Sequence, residues 1–117
     1  MHRLWRAAIN SWNGLCAVMR TEEAFRQEFF TFLIAVPVAF VVAVEPWKRL
    51  ALVLVIVLVM IVELLNTAIE KLGDRVSREH DPRMGLIKDF GSAAVGLSLL
   101  FAGSVWLLAL AERFGLL

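Results

Sequence analysis

A group of acidic and amide side chains recurs at helical spacing between residues 63 and 74. On a helix that turns about 100° per residue they share one face, and they are Glu63, Asn66, Thr67, Glu70 and Asp74. The face begins inside an apolar run, where a carboxylate costs a few kcal/mol to keep. Something must compensate for that cost, so the face is a candidate functional site. The structural alternative is a protonated Glu63 that hydrogen-bonds a neighbouring helix.

The carboxylates on this face suit a divalent cation. Proteins bind Mg²⁺ through one or two carboxylates together with substrate phosphates, and Glu22 adds a further carboxylate before the first apolar run. His2 and His80 lack the spacing of a zinc site. The sequence contains neither G-x-x-x-x-G-K-[ST] nor G-x-G-x-x-G, the loops that bind phosphates in soluble proteins. The residues therefore predict a divalent-metal site at a membrane surface above a buried carboxylate, and they name no reaction.

The composition places these side chains in a membrane protein. Of the 117 residues 60% are hydrophobic, against about 45–50% in a soluble domain, and the mean hydropathy is +0.75. A soluble chain of this length would expose much of that apolar excess to water. Cys16 has no partner for a disulfide, and a formal net charge of +1 provides no basic field for nucleic acid. We expect a single integral membrane domain, residues 1–117, with no nucleic-acid partner.

Three apolar stretches predict an all-α membrane protein with three transmembrane helices. The stretches cover residues 29–44, 50–65 and 93–111, whereas a span needs about 20 residues. Because two of them are short, the helices must extend past the apolar runs, and we predict helices at residues 22–44, 48–78 and 86–113. Thr21 followed by Glu22 and Glu23 indicates an N-cap and an acidic first turn.

Residues 1–20 predict an amphipathic helix on the membrane surface. Apolar side chains, Trp5 and Trp12 among them, recur at helical spacing, and arginine and asparagine side chains occupy the rest of the wheel. The basic residues set the orientation, because cytoplasmic segments are rich in Lys and Arg. Nine of the 12 Lys and Arg residues lie in the N-terminal segment, before residue 29, or in the second connection, between residues 65 and 93. This distribution predicts that both segments are cytoplasmic.

Five segments resemble the prokaryotic diacylglycerol kinase family. They are residues 11–15 (SWNGL), 22–28 (EEAFRQE), 62–70 (VELLNTAIE), 74–75 (DR) and 88–94 (KDFGSAA). The resemblance covers almost the whole chain, and the E-x-x-N-[ST]-A-I-E segment is highly specific. It implies an oligomeric helical bundle, a homotrimer in the bacterial inner membrane. It further implies transfer of the γ-phosphate of Mg-ATP to the primary hydroxyl of diacylglycerol, giving phosphatidic acid.

The same resemblance implies roles for individual residues. Glu63 matches the general base, Glu22 and Glu70 match ligands of the Mg²⁺ that bridges the ATP phosphates, and Asn66 and Asp74 match supporting positions. The positions that match ATP contacts are Arg3, Asn10, Glu22, Glu70, Glu79, His80, Asp81, Lys88 and Asp89. The positions that match lipid contacts are Arg3, Ser11, Trp12, Asn13, Phe25, Arg26, Gln27, Glu28, Glu63 and Ser92.

Other functions stay open on the sequence alone. Undecaprenol is the alternative lipid substrate of such a kinase. A small proton-coupled transporter would use Glu63 as its carrier site, but such proteins usually have four spans and a lone buried acid. A structural or regulatory subunit would leave Glu70, Asp74 and Asp89 without a purpose.

The size of the chain predicts an oligomer. Three spans and a surface helix are too few to enclose both a nucleotide and a lipid. Ala94, Ser98 and Ala102 recur at a spacing that lets helices approach closely in lipid. We therefore expect the homotrimer that the family resemblance implies.

Overall fold

The computed structural model describes residues 2–77 and 81–117, and these contain four helices and no strand. The helices are α1 (His2–Thr21), α2 (Glu23–Val42), α3 (Pro46–Val76) and α4 (Pro82–Arg113). The last three have 20, 31 and 32 residues and are apolar enough to cross a membrane. The predicted all-α architecture, with three spans after an N-terminal helix, is confirmed.

Prolines mark the first turns of the two long helices. Pro46 and Pro82 stand where a helix has no intrahelical partner for the backbone N–H, so their missing N–H has no cost there. The Asp81 carboxylate accepts a hydrogen bond from the Arg83 amide at 2.9 Å and so caps the helix. For this reason α4 begins at Pro82 rather than at residue 86.

The junction between α1 and α2 differs from the predicted one. Thr21 is not an N-cap but the last residue of α1, and its hydroxyl donates to the Ala17 carbonyl at 2.9 Å. A threonine that bonds back to the preceding turn stays helical. Glu22 is therefore the single extended residue between the two helices, and its side chain makes no capping hydrogen bond.

The central helix of the bundle is α3, which packs against both α2 and α4. On one side Ala39 of α2 packs against Leu52. On the other side Ala102 of α4 packs against Val55 and Val59. Small residues at such contacts let helix backbones approach closely, which is how helices associate in lipid. Most large apolar side chains of the spans point outward from the single chain, where lipid or another subunit surrounds them.

Two arginines fix the end of α2 on the side away from the acidic face. The last carbonyls of a helix have no intrahelical partners. Arg49 Nε donates to the Ala43 carbonyl at 2.8 Å, and Arg113 Nε donates to the Val41 carbonyl at 3.3 Å. These two hydrogen bonds join the ends of α2, α3 and α4 and hold the three spans together at that surface.

The N-terminal helix α1 lies outside the bundle. Val18 is the one buried residue in this helix, which the structure describes in full. Trp5 and Trp12 are 67% and 68% exposed, as expected of indoles that sit at headgroup depth. The helix is therefore an arm that joins the rest of the protein through its last turns.

Arg26 of α2 holds that last turn. Its Nη1 atom donates to the carbonyls of Met19 and Arg20, both at 3.0 Å. A cation at a helix C-terminus satisfies unpaired carbonyls and complements the helix dipole. Arg26, a predicted lipid contact, is thus also the residue that orients the arm.

Replacing Arg26 by methionine removes this cap while keeping most of the apolar stem. We expect amide hydrogen exchange over residues 17–21 to become about tenfold faster, because hydrogen bonds from a charged donor are lost. The matched control is Arg20→Met, which changes an exposed arginine of the same turn and leaves the cap intact. Unchanged exchange in the Arg26 variant would show that another contact holds the arm.

Candidate functional site

The predicted acidic face is formed on the C-terminal half of α3. Glu63 and Asn66 are 8% and 9% exposed, and Glu70, one turn beyond Asn66, is exposed. The Asn66 amide Nδ2 donates to Glu70 Oε1 at 3.2 Å. The face therefore runs from a buried carboxylate, through an amide, to an accessible carboxylate.

Three buried oxygen atoms around this face have no hydrogen-bond partner within the described part of the chain. They are Glu63 Oε2, Glu28 Oε1 and Asn66 Oδ1, although most buried polar atoms in proteins are satisfied. Glu63 also interacts electrostatically with Glu70, Glu22 and Glu28. Carboxylates brought together in this way repel one another, so the site attracts cations.

Glu22 reaches this region from the junction of α1 and α2. Its Oε1 atom lies 3.1 Å from Lys71 Nζ of α3. Lys71 was not among the predicted site residues, because a lysine near the end of a membrane helix is ordinarily an interfacial anchor. The ion pair ties the arm junction to α3 and places a positive charge next to the predicted metal ligand.

The start of α4 has one ion pair to α3 and one N-cap near the site. Lys88 Nζ of α4 donates to Asp74 Oδ1 of α3, which joins the two helices at the last residue of the acidic face. Asp81 uses its carboxylate as the N-cap of α4. The predicted nucleotide contacts Glu79 and His80 lie outside the described residues.

The start of α4 brings one further residue to the site. Gly91 is buried, and a Cβ atom built on it would overlap Asn66 Oδ1. The predicted contacts on either side of it, Asp89 and Ser92, are exposed. The sequence contained a signal for Gly91, since glycine inside a helix is unfavourable and needs a reason, but no role was predicted for this residue.

The predicted contacts on the arm are separated from Glu22 within one chain. Arg3, Asn10, Ser11 and Asn13 are all exposed on α1. At 1.5 Å per residue, Arg3 lies about 27 Å along the helix from its last residue. A single chain therefore does not bring Arg3 to Glu22.

An apolar cavity of about 590 Å³ lies between α1, α2 and α3. Two predicted lipid contacts, Trp12 and Phe25, line it, and Phe25 is almost completely buried. An interior of this kind fits hydrocarbon rather than a nucleotide. The other lining residues were not predicted as contacts, because on the sequence their spacing indicated only a membrane-facing surface: Leu15, Cys16, Met19, Arg20, Phe29 and Met60.

The remaining predicted lipid contacts lie on the first turns of α2. Gln27 is exposed and its Nε2 atom is 3.5 Å from Glu23 Oε1. Glu28 is half-buried, and it faces Glu63 closely enough for the two carboxylates to interact. Together with Arg26, these residues connect the arm junction to the acidic face.

The donors fit a magnesium ion that arrives with a nucleotide. Within residues 2–77 and 81–117 no group of three or more His, Cys, Asp or Glu side chains forms a ready metal site. Glu22 and Glu70 supply carboxylates from separate elements, and Mg²⁺ takes its other ligands from water and phosphates. The buried, unpartnered oxygen of Glu63 beside them marks an excess of negative charge that such a cation would neutralise.

Comparison with known proteins identifies relatives over nearly the whole chain. A model of the family described as prokaryotic diacylglycerol kinase matches residues 9–110. The diacylglycerol kinase of Escherichia coli strain K12 is 42% identical over 113 residues, which cover 97% of this chain and 93% of the relative. That of Pseudomonas aeruginosa is 40% identical over 106 residues, covering 91% and 86%. That of Helicobacter pylori strain 26695 is 35% identical over 104 residues, covering 89% and 81%.

Proposed function

The chain belongs to the prokaryotic diacylglycerol kinase family, and on this premise we propose that it transfers the γ-phosphate of ATP to the primary hydroxyl of diacylglycerol. The products are phosphatidic acid and ADP. Relatives that match most of the chain are named diacylglycerol kinases. The structural observation that supports the proposal is the buried carboxylate of Glu63, with one free oxygen, beside the more accessible carboxylates of Glu22 and Glu70.

Glu63 is the proposed general base. The lipid hydroxyl gives its proton to the Glu63 carboxylate while the hydroxyl oxygen bonds to the γ-phosphorus. The bond from that phosphorus to the β–γ bridging oxygen breaks, and ADP leaves. A base buried in a membrane helix can reach the hydroxyl of a lipid, because the acyl chains keep the lipid in the membrane. Direct transfer is favoured over a phosphoenzyme, since Glu22 and Glu70 are needed for the metal and Glu63 for the proton.

Glu22 and Glu70 are the proposed ligands of Mg²⁺. When bound with ATP, this ion neutralises charge on the phosphates, which is the main requirement of phosphoryl transfer besides positioning. Asn66 holds the Glu70 carboxylate through its 3.2 Å hydrogen bond. Lys71 holds Glu22 at 3.1 Å and supplies a nearby positive charge.

The nucleotide contacts are proposed at the positions that the family resemblance marks. Lys88 provides a positive charge for the phosphates, and Asp74 keeps its ammonium group at the end of α3. The other proposed contacts are Arg3, Asn10, Glu79, His80, Asp81 and Asp89. Because Arg3 lies about 27 Å from Glu22 along its own arm, we propose that the arm of a neighbouring subunit completes each site.

The lipid is proposed to lie between the arm and the spans. Its hydroxyl is placed at Glu63, and an acyl chain enters the apolar cavity lined by Trp12 and Phe25. Polar contacts to the headgroup region come from the exposed arm and the first turns of α2. They are Arg3, Ser11, Asn13, Arg26, Gln27, Glu28 and, from α4, Ser92.

The protein is a multi-pass membrane protein, and the proposed compartment is the bacterial inner membrane. The excess of Lys and Arg on the N-terminal segment and the second connection supports a cytoplasmic position for both. The acidic face opens toward the same side, where ATP is present. This orientation brings the water-soluble and the membrane-bound substrate to one surface.

Diacylglycerol is the proposed substrate rather than undecaprenol. The test is phosphate transfer from labelled ATP in mixed micelles that contain one lipid or the other. We expect faster phosphorylation of diacylglycerol; a preference for undecaprenol would replace the substrate assignment. Absence of transfer to either lipid would overturn the kinase proposal and restore the transporter alternative.

Replacing Glu63 by glutamine tests the base. Glutamine has nearly the same shape but cannot take the hydroxyl proton, and losing general-base catalysis lowers the rate by about 10²–10⁴-fold. We expect the variant to fold and to bind Mg-ATP with unchanged affinity, because the metal ligands are intact. Turnover and nucleotide affinity are measured on the same purified sample. Wild-type turnover would overturn the base assignment.

Replacing Glu70 or Glu22 by glutamine tests the metal ligands. Each change removes one hard anionic ligand, so the Mg²⁺ concentration for half-maximal activity should rise. The matched control is Glu45→Gln, which changes an exposed glutamate at the other end of α3 and leaves the Mg²⁺ dependence unchanged. A variant whose Mg²⁺ dependence equals that of the wild type would remove its residue from the site.

Crosslinking in detergent tests the homotrimer. Ala102 is one of the small residues predicted to bring helices together. It packs in the contact between α3 and α4 of one chain. The support for assembly is instead the outward apolar surface of the spans and the separation of Arg3 from Glu22. We expect a trimeric product at protein concentrations that support activity. An active protein that crosslinks only as a monomer would overturn the assembly.

A further inference from the structure

Gly91 lies inside the long helix α4, in its first third, although glycine weakens helices. Its backbone does not need glycine, because the positive φ that favours this residue occurs among the described residues only at Gly115. The reason for a glycine at position 91 therefore lies in its surroundings.

The surroundings of Gly91 leave no room for a side chain. A Cβ atom there would overlap Asn66 Oδ1 and would lie 3.3 Å from Asn66 Cγ. Three other glycines of α4, Gly85, Gly96 and Gly103, have nothing within 4 Å of the same position. Gly91 is thus the glycine of α4 at which another residue, Asn66, occupies the space that a side chain would take.

The residue that fills the space is the one that orients a proposed metal ligand. Asn66 is 9% exposed, and its Nδ2 atom donates to Glu70 Oε1 at 3.2 Å. Its other amide atom, Oδ1, has no hydrogen-bond partner in the described structure. The Nδ2 atom holds the amide toward Glu70 and also interacts with Glu63. In that orientation Oδ1 lies where a side chain at position 91 would be, so the amide keeps it only while position 91 is a glycine.

A methyl group at position 91 would displace the Asn66 amide rather than the helices. The overlapping atom is the end of a side chain, which rotates more easily than two packed backbones separate. Rotation carries Nδ2 away from Glu70, because both amide atoms turn together. The expected result is a folded protein whose Glu70 carboxylate has lost its hydrogen bond.

We propose that Gly91 is a positioning residue of the phosphoryl-transfer site, which admits the Asn66 amide and through it sets the Glu70 carboxylate. The catalytic consequence rests on the proposed function, whereas the steric coupling between Gly91 and Asn66 does not. Residues that hold a metal ligand typically change metal affinity or activity by about 10–100-fold when they are replaced. Gly91 should therefore influence the Mg²⁺ requirement although it offers no ligand atom.

A double-mutant cycle separates this role from ordinary packing. The variants are Gly91→Ala, Asn66→Ala and the two combined, with Gly96→Ala as the control on the same helix. Gly91→Ala and Asn66→Ala should each raise the Mg²⁺ concentration for half-maximal activity by about tenfold or more, with little change in the KM for diacylglycerol. The combined variant should be no worse than Asn66→Ala alone, since no amide remains for the methyl group to displace.

Two kinetic outcomes overturn the proposal. One is a Gly91→Ala variant whose Mg²⁺ dependence equals that of the wild type or of Gly96→Ala. The other is a combined variant whose effect is the product of the two single effects, because independent residues contribute additively in free energy.

Thermal unfolding provides a readout that does not depend on activity. Gly91→Ala should lower the unfolding temperature in the native background and should leave it equal or higher in the Asn66→Ala background, where alanine only improves the helix. Equal shifts in both backgrounds overturn the coupling. If the wild type fails to phosphorylate diacylglycerol, the proposed function and the catalytic role of Gly91 fail, and the unfolding temperatures still decide the steric coupling.

Discussion

The structure depends on keeping carboxylates at membrane depth. Glu63 is buried in a span, and Glu22, Glu28 and Glu70 act on it electrostatically. Such a group is unfavourable in an apolar interior unless neighbours or a bound cation compensate for it. The amide of Asn66 compensates in part, and the remaining negative charge favours a cation at this position.

Glu63 lies on α3, the central helix of the bundle. Small residues at Ala39 and Ala102 let α2 and α4 pack closely against α3, and Gly91 lets α4 approach Asn66. Arg49 and Arg113 hold the far ends of the spans together. The acidic face therefore lies on the central helix, at the opposite end of the bundle from these arginine contacts.

In the proposed mechanism the arm and the spans together bring two unlike substrates to one site. The apolar cavity beneath α1 suits an acyl chain, and the accessible carboxylate of Glu70 suits a metal bound to a water-soluble nucleotide. Phosphoryl transfer needs positioning and charge neutralisation more than covalent chemistry. A small helical protein without a glycine-rich phosphate loop can provide both, provided that several chains contribute to each site.

Local sequence patterns were sufficient to predict the number of spans, the amphipathic arm and the acidic face, because apolar length and the 3.6-residue period are local properties. It did not determine the ends of the helices: Thr21 can bond forward as a cap or backward to Ala17, and only the path of the chain selects between them. The tertiary structure alone decided that Arg26 caps α1, that Lys71 meets Glu22 and that Gly91 admits Asn66. Each of these contacts joins separate elements, so it depends on how the helices rotate and approach, which no local pattern encodes.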